Sequence, residues 1–344
     1  MLIPERPNFY KNRVIITDGL IGGGKALLAQ LVSSIPKVEM WIHNPKIEGL
    51  CASQYLSSID LKVSENFLKL WIDEDIDNIA MMRNMNFRFN DLSSVTKYPR
   101  KLDYLKRLLS EGGRESLNKF IKENRVMHYM THSMSAYSKP LFETLNERLI
   151  YLRLVRNPMT DYMVNHLAKW CERWGKDFRS GVTLIKFEEK YFPFFAKDKI
   201  PEYSELSPHE KAIFLLKLWQ EKGDHQIDQF KSKYNSFILE IPFESLVFQP
   251  MKYINKIAEE IGVTADKVTK KQLKLQNVPR KSLSDAPFNK VYFDRGWRKS
   301  KKILSLEEEI EISRKKISNY VSVDSLECLD ELSNKYLNRY KLSS

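Results

Sequence analysis

Cysteine is scarce in this chain. Only Cys51, Cys171 and Cys328 occur, and none stands in a CxxC or Cys/His ligand spacing, so we expect neither a disulfide framework nor a zinc site. No stretch reaches the uninterrupted apolar length that spans a bilayer, and the opening "MLIPERPNFYKNR" lacks the apolar core of a signal peptide. No internal repeat and no low-complexity linker interrupts the chain. These absences predict a soluble protein without a membrane span in a reducing, cytoplasmic compartment. Acidic residues are also in deficit: 44 Asp and Glu face 56 Lys and Arg, a net charge of +12. That surplus suits an anionic partner, be it a nucleotide, an acidic glycan, a nucleic acid or a membrane surface, and charge alone does not choose among them.

What is present is a core. With 344 residues and 42% apolar composition, the chain can fill one large domain. "RVIIT" (Arg13 to Thr17) reads as a buried strand, followed by a glycine-rich turn and then helical apolar density from Ala26 to Val32. Further strands are expected at Val38 to Ile42, Arg125 to Thr131, Arg148 to Val155 and Asn235 to Ile241, with helical periodicity from about Asp75 to Asn124. Strands alternating with helices predict an α/β fold with a central, mostly parallel sheet flanked by helices in three layers. Lys186 to Tyr203, rich in aromatics and prolines, reads as an irregular excursion, either a substrate lid or a loop packed on the body. The main domain is placed at residues 1–315 and a charged helical extension at 316–344.

Gly19, Gly24 and Lys25 fit the GxxxxGK phosphate loop in its strand-to-helix setting. Backbone N–H groups of Gly22, Gly23, Gly24, Lys25 and Ala26 and the helix N-terminus are expected to hold an anion, with the Lys25 charge beside it. Ala26, however, stands where a nucleotide hydrolase carries the hydroxyl that ligates magnesium. The acidic metal ligand at a central strand end is missing too, since "RLIYLRLV" runs into Arg156-Asn157-Pro158. Two cationic anion sites without metal hardware suggest a donor with two separated phosphate groups and no required metal.

These residues resemble the sulfotransferases that use 3′-phosphoadenosine 5′-phosphosulfate (PAPS). "LIYLRLVRNPMTDYMVNHLAKW" is similar to that family's strand and helix for the donor's 3′-phosphate, and "SFILEIPFESLVFQPMKYINKIAEEIGV" to its later strand with an aromatic-acid-x-Leu turn at Phe243 to Leu246. "DRGWRKSKKILSLEEE" is similar to its C-terminal basic segment. The resemblance covers about residues 12 to 315. It implies a P-loop-like fold and sulfuryl transfer from PAPS, leaving the product PAP, to a hydroxyl or amine of a small-molecule or glycan acceptor. It also implies that Arg156, Asn165, Arg298 and Lys299 hold the donor, with Arg295 and Trp297 nearby. The loop departs from the family pattern at Gly22, Lys25 and Ala26, and the family's serine falls on Val164, next to Asn165.

For catalysis, Lys25 is the candidate to stabilise the leaving oxygen, and His132 in "MTHSM" is the candidate general base. His128, four residues earlier, is the rival, followed by the carboxylates Glu143 and Glu39. Two other readings remain: a small-molecule kinase using ATP, and a non-catalytic P-loop module binding a polyanion. No nucleic-acid reader motif accompanies the basic clusters.

Overall fold

A computed structural model describes residues 4–89, 91–110, 112–178, 180–286, 293 and 302–342. Val14–Gly19 is buried at every position and Leu149–Val155 at all but the last, so the sheet is covered on both faces. Strands β1 (Val14–Gly19), β2 (Met127–Met130), β3 (Leu149–Val155) and β6 (Phe237–Pro242) lie in the order β2-β1-β3-β6, all parallel. Val14 pairs with Met127 on one side and Leu149 on the other, and Ile150 pairs with Phe237. Because successive strand side chains point to opposite faces, Ile15, Ile150, Leu152 and Ile241 enter one buried cluster while Val14, Ile16, Leu149 and Tyr151 enter the other. Helix α1 (Lys25–Val32) supplies Leu28 and Leu31 to the first layer; α2 (Pro45–Tyr55) and α3 (Leu61–Ala80) supply Cys51, Leu68 and Ile72 to the second. Helices thus cover both faces of a parallel sheet, the three-layer α/β arrangement expected from the sequence.

Three local expectations change. Val38 to Ile42 makes only two parallel bridges, Val38 to Val126 and Ile42 to Tyr129. The intervening amides of Met40 and Trp41 donate instead to Tyr104 Oη and Ser33 Oγ, so no continuous ladder forms. The helical stretch placed at Asp75 to Asn124 starts earlier, at Leu61, where the Asp60 carboxylate caps it, and breaks after Ala80, where Met82 and Asn84 adopt left-handed φ of 59° and 56°. The excursion at Lys186 to Tyr203 contains a hairpin, β4 (Leu184–Phe187) with β5 (Lys190–Pro193), turned through Glu188 and Glu189 at positive φ. Its Phe194 and Phe195 pack into the body.

The helix Val323–Tyr340 lies against the long helix Pro208–Lys233, burying Leu329, Leu332 and Tyr336. No helix among the described residues is long and apolar enough to cross a membrane.

Candidate active site

The strand ends of β1, β2 and β3 open onto a cavity of about 730 Å³. Crevices at the carboxyl ends of parallel strands are where α/β folds bind ligands, since loops and helix N-termini converge there. Gly22, Gly24, Lys25, Ala26, His132 and Arg156 all line it.

The glycine loop is shaped by close approach. Gly24 has a φ of 101°, and a Cβ there would lie 2.5 Å from Phe243 Cε2, so any larger residue would displace both the loop and that ring. Gly23 N donates to Leu20 O at 3.1 Å, which closes the turn from within; Gly23 is not part of the cavity wall. Lys25 and Ala26 open α1, where N–H groups have no intrahelical acceptor.

Lys25 is buried, and its Nζ donates to Gly19 O at 2.8 Å and Leu20 O at 3.0 Å. One of its three donors stays available for an anion. Burial lowers its pKa from 10.5 to about 8, against the pull of Asp18 and Glu48. Below pH 8 folded and unfolded chains both carry this proton and the cost of burying the charge is fully present; between about 8 and 10.5 only the unfolded chain holds it, so this group adds stability as pH rises. Lys25→Met should therefore gain most relative to wild type at pH 7, and the gap should shrink toward pH 10 in urea titrations; a gap independent of pH would remove the buried ammonium from the account.

Arg156 leaves β3 into the cavity wall. Its Nη1 donates to Gly22 O at 3.2 Å, its guanidinium stacks 4.3 Å from the Phe243 ring centre, and its Nε has no partner among the described residues. Burial lowers its pKa, with Glu244 acting in the other direction. Glu244 itself is fixed elsewhere: it accepts Asn157 N–H at 3.1 Å and the Tyr336 hydroxyl. Phe243 to Leu246 therefore braces both the glycine loop and the Arg156 turn. Arg280, which the sequence reading passed over, adds a second guanidinium to the wall, 5.8 Å from Phe243.

His132 sits in a turn tied to β1 by Asp18. That buried carboxylate accepts Thr131 Oγ1 at 2.8 Å and the amides of Met134 and Ser135 at 2.9 Å each. Ser133 N–H donates to Gly19 O at 2.9 Å, and Ser133 adopts φ 58°, an uncommon conformation for a side chain that costs energy where it is not over-determined. Glu48, in the first turns of α2, was missed from the sequence. Its Oε1 accepts His132 N–H at 2.9 Å and lies 3.0 Å from His132 Nδ1 and 3.2 Å from His43 Nε2. Burial pushes the Glu48 pKa up, but the bonds from His132 and His43 outweigh it and bring it to about 2. A carboxylate only accepts, so Nδ1 carries the His132 proton and Nε2 keeps its lone pair. Burial and the Lys25 charge hold the His132 pKa below 6.5, with Glu48 opposing. The only signal for Glu48 in the sequence is the helix start at Asn44-Pro45, which puts it in the first turn, three residues after Pro45.

The other candidates lie apart. Asn165 does not line the cavity; its Nδ2 donates to Asp161 Oδ1 at 2.8 Å and its Oδ1 meets His209. His128 is fully buried between Thr17 Oγ1 at 2.8 Å and Ser33 Oγ at 3.0 Å, and burial lowers its pKa to about 3. Glu143 accepts from Lys233 and Tyr234 at 2.7 Å each. Glu39, the other carboxylate rival, is fully buried between Arg107, Arg125 and Tyr104. Neither acid lines the cavity. Arg295, Trp297, Arg298 and Lys299 lie outside the described residues. His43, Glu48 and His132, each with one ligand atom within 4.8 Å of the others, are a group that could hold a metal ion.

No family model and no curated protein matches the chain. Solved structures that match include the sulfotransferase domain of the Synechococcus olefin synthase, 13% identical over 93% of this chain and 99% of that one, with a TM-score of 0.39. A Mycobacterium tuberculosis sulfotransferase is 12% identical over 84% of this chain and 77% of its own, at a TM-score of 0.37. The sulfotransferase domain of the curacin biosynthetic pathway is 12% identical over 89% and 97%, at 0.36. All three are sulfotransferases or sulfotransferase domains, and the chemistry of the cavity stands on its own residues.

Proposed function

We propose that the chain is a PAPS-dependent sulfotransferase acting on a hydroxyl or amine. The observation that carries this reading is the convergence on one cavity of a phosphate-type loop with no magnesium hydroxyl, a buried guanidinium from the end of β3, and an imidazole held by a carboxylate. The residues present fit the donor: Arg156 keeps an Nε with no partner among the described residues, and the first amides of α1 face no acceptor of their own. When bound, PAPS supplies the sulfuryl group and a phosphate leaving group. Lys25 and the loop amides neutralise charge on the side of the leaving oxygen, and Arg156, with its planar fork, holds the second phosphate. His132 Nε2 takes the acceptor's proton while Glu48 keeps Nδ1–H in place and stabilises the imidazolium that forms.

The acceptor side supports an apolar alcohol over a glycan. Trp41, Trp170, Trp174, Phe178, Phe195 and Trp219 line the same cavity, and such walls bury apolar surface while a few polar groups set orientation. Sulfation of an apolar aromatic or alicyclic alcohol, with sugars turned over poorly, is the corresponding outcome in a substrate panel.

Ligand-dependent melting tests the reading. PAP should raise the melting temperature in EDTA, by the equivalent of about 2.7 kcal/mol at 100 times Kd. In Arg156→Lys, PAP affinity should fall about tenfold to a hundredfold, as loss of a charged hydrogen bond implies. Stabilisation by ATP only in the presence of magnesium would instead favour a kinase, and unchanged PAP affinity in Arg156→Lys would remove that residue from the site.

A further inference from the structure

We infer that the edge of the cavity holds a divalent-cation site of the zinc class, with His43 Nε2, Glu48 Oε1 and His132 Nδ1 as its protein ligands. Two imidazoles and a carboxylate with one position left open form a known ligand set for such ions. Zinc bonds of about 2.0–2.2 Å in tetrahedral geometry put neighbouring ligand atoms about 3.3–3.6 Å apart. Glu48 Oε1 already lies 3.2 Å from His43 Nε2 and 3.0 Å from His132 Nδ1, and one ligand atom from each of the three residues falls within 4.8 Å of the others. The hydrogen bonds that now join them are the contacts a cation would replace, with no backbone rearrangement.

The ligands are held from the main chain. Asn44 caps α2, accepting Lys46 N–H at 3.1 Å, and its Nδ2 donates to Asp75 Oδ2 at 2.9 Å, which fixes the segment carrying His43 and Glu48. The third ligand is fixed by the Asp18-braced turn after β2, which Glu48 also ties through His132 N–H. Both rings are reachable, at 38% and 35% side-chain exposure. The nearby cation is Lys25, whose ammonium is drawn back onto the Gly19 and Leu20 carbonyls. Imidazole with carboxylate selects zinc, nickel or copper over magnesium.

Occupancy has a chemical consequence that rests on the proposed sulfuryl transfer. A neutral imidazole has one proton. With the metal on Nδ1 that proton sits on Nε2, and the lone pair needed to accept the acceptor's proton is gone. The metal-bound form is therefore the inactive form, while the donor's phosphate sites stay free.

The experiment uses the full chain stripped with EDTA and then freed of chelator. Zinc is titrated calorimetrically and cobalt by its visible absorption in a tetrahedral or five-coordinate site, with magnesium as the control. One saturable equivalent is expected. His43→Ala and Glu48→Gln should each weaken it by more than about 100-fold, since a direct ligand counts for more than the 10–100-fold typical of outer-shell partners. Zinc should also abolish turnover reversibly in wild type, and whatever turnover His43→Ala retains should resist zinc. Absence of saturable uptake, or uptake unchanged in both variants, overturns the metal site. If uptake fails while His132→Ala still abolishes turnover, the metal site falls alone; if uptake depends on these residues in a protein that does not bind PAP, the metal site stands and the sulfotransferase reading falls.

Discussion

Replacing His132 by Ala is expected to slow sulfuryl transfer by about 10²–10⁴-fold, the usual worth of a positioned general base, with PAP affinity changed by no more than about threefold. The imidazole acts on the acceptor's proton in the transition state, and in the ground state it touches Glu48 and His43, not the glycine loop. The pH profile supplies a second readout. His132 must be neutral to accept a proton, and burial with the Lys25 charge holds its pKa below 6.5. The acid limb of kcat/KM should therefore lie below pH 6.5. Glu48 is the group that opposes this lowering, so Glu48→Gln should move the limb to still lower pH while reducing kcat. A carboxylate that merely braced the turn would leave the limb where it was. His128→Ala separates the strand histidine from the one in the turn: His128 bonds Thr17 and Ser33 in the interior, so its loss should cost stability and leave turnover per folded molecule near normal. Normal turnover in His132→Ala would dispose of the base assignment.

The legible parts of this site were those set by local rules. A buried β-branched run, a glycine turn and an apolar helix can only be strand, loop and helix, so β1, the loop and α1 follow from residues 13–32 within a position or two. Arg156 was legible because a continuous apolar strand ends on it. His132 was legible because it follows β2 directly, and parallel pairing with β1 puts that strand end beside Gly19. Glu48 was not, because its role depends on α2 packing its first turns against the loop after β2, a contact between segments 84 residues apart. Asn165 shows the converse: the polar residue next to the spacing match at Val164 faces Asp161, Tyr320 and His209, because its helix turns Val164 and His166 inward. Periodicity predicts which faces are apolar, not which polar groups meet across them.

Glu39 is the other residue that a local reading misplaces, and it carries the largest expected stability effect. Its carboxylate is fully buried, with Arg107 Nη2 at 2.7 Å, Tyr104 Oη at 2.6 Å and the Arg125 Nε beside it. Removing the anion leaves two guanidiniums without their shared partner in a dry environment, and breaking a buried pair in this way costs about 3–5 kcal/mol. Glu39→Ala should therefore lose about that much in urea titrations near pH 7. The sign of the pH dependence follows from the same contacts. Burial raises the Glu39 pKa, but the charges of Arg125 and Arg107 outweigh it, so the folded value lies below 4.5. The stabilisation is present above the unfolded value and is lost as pH falls through the folded one, so the variant should lack the part of the acid-unfolding limb that begins below pH 4.5. Because Glu39 does not line the cavity, PAP affinity and kcat/KM per folded molecule should hold within about threefold. A Glu39→Ala protein as stable as wild type but slow in turnover would return Glu39 to the chemistry; an unstable protein with normal turnover keeps it as the anion that fixes Arg107 and Arg125 behind the strand ends.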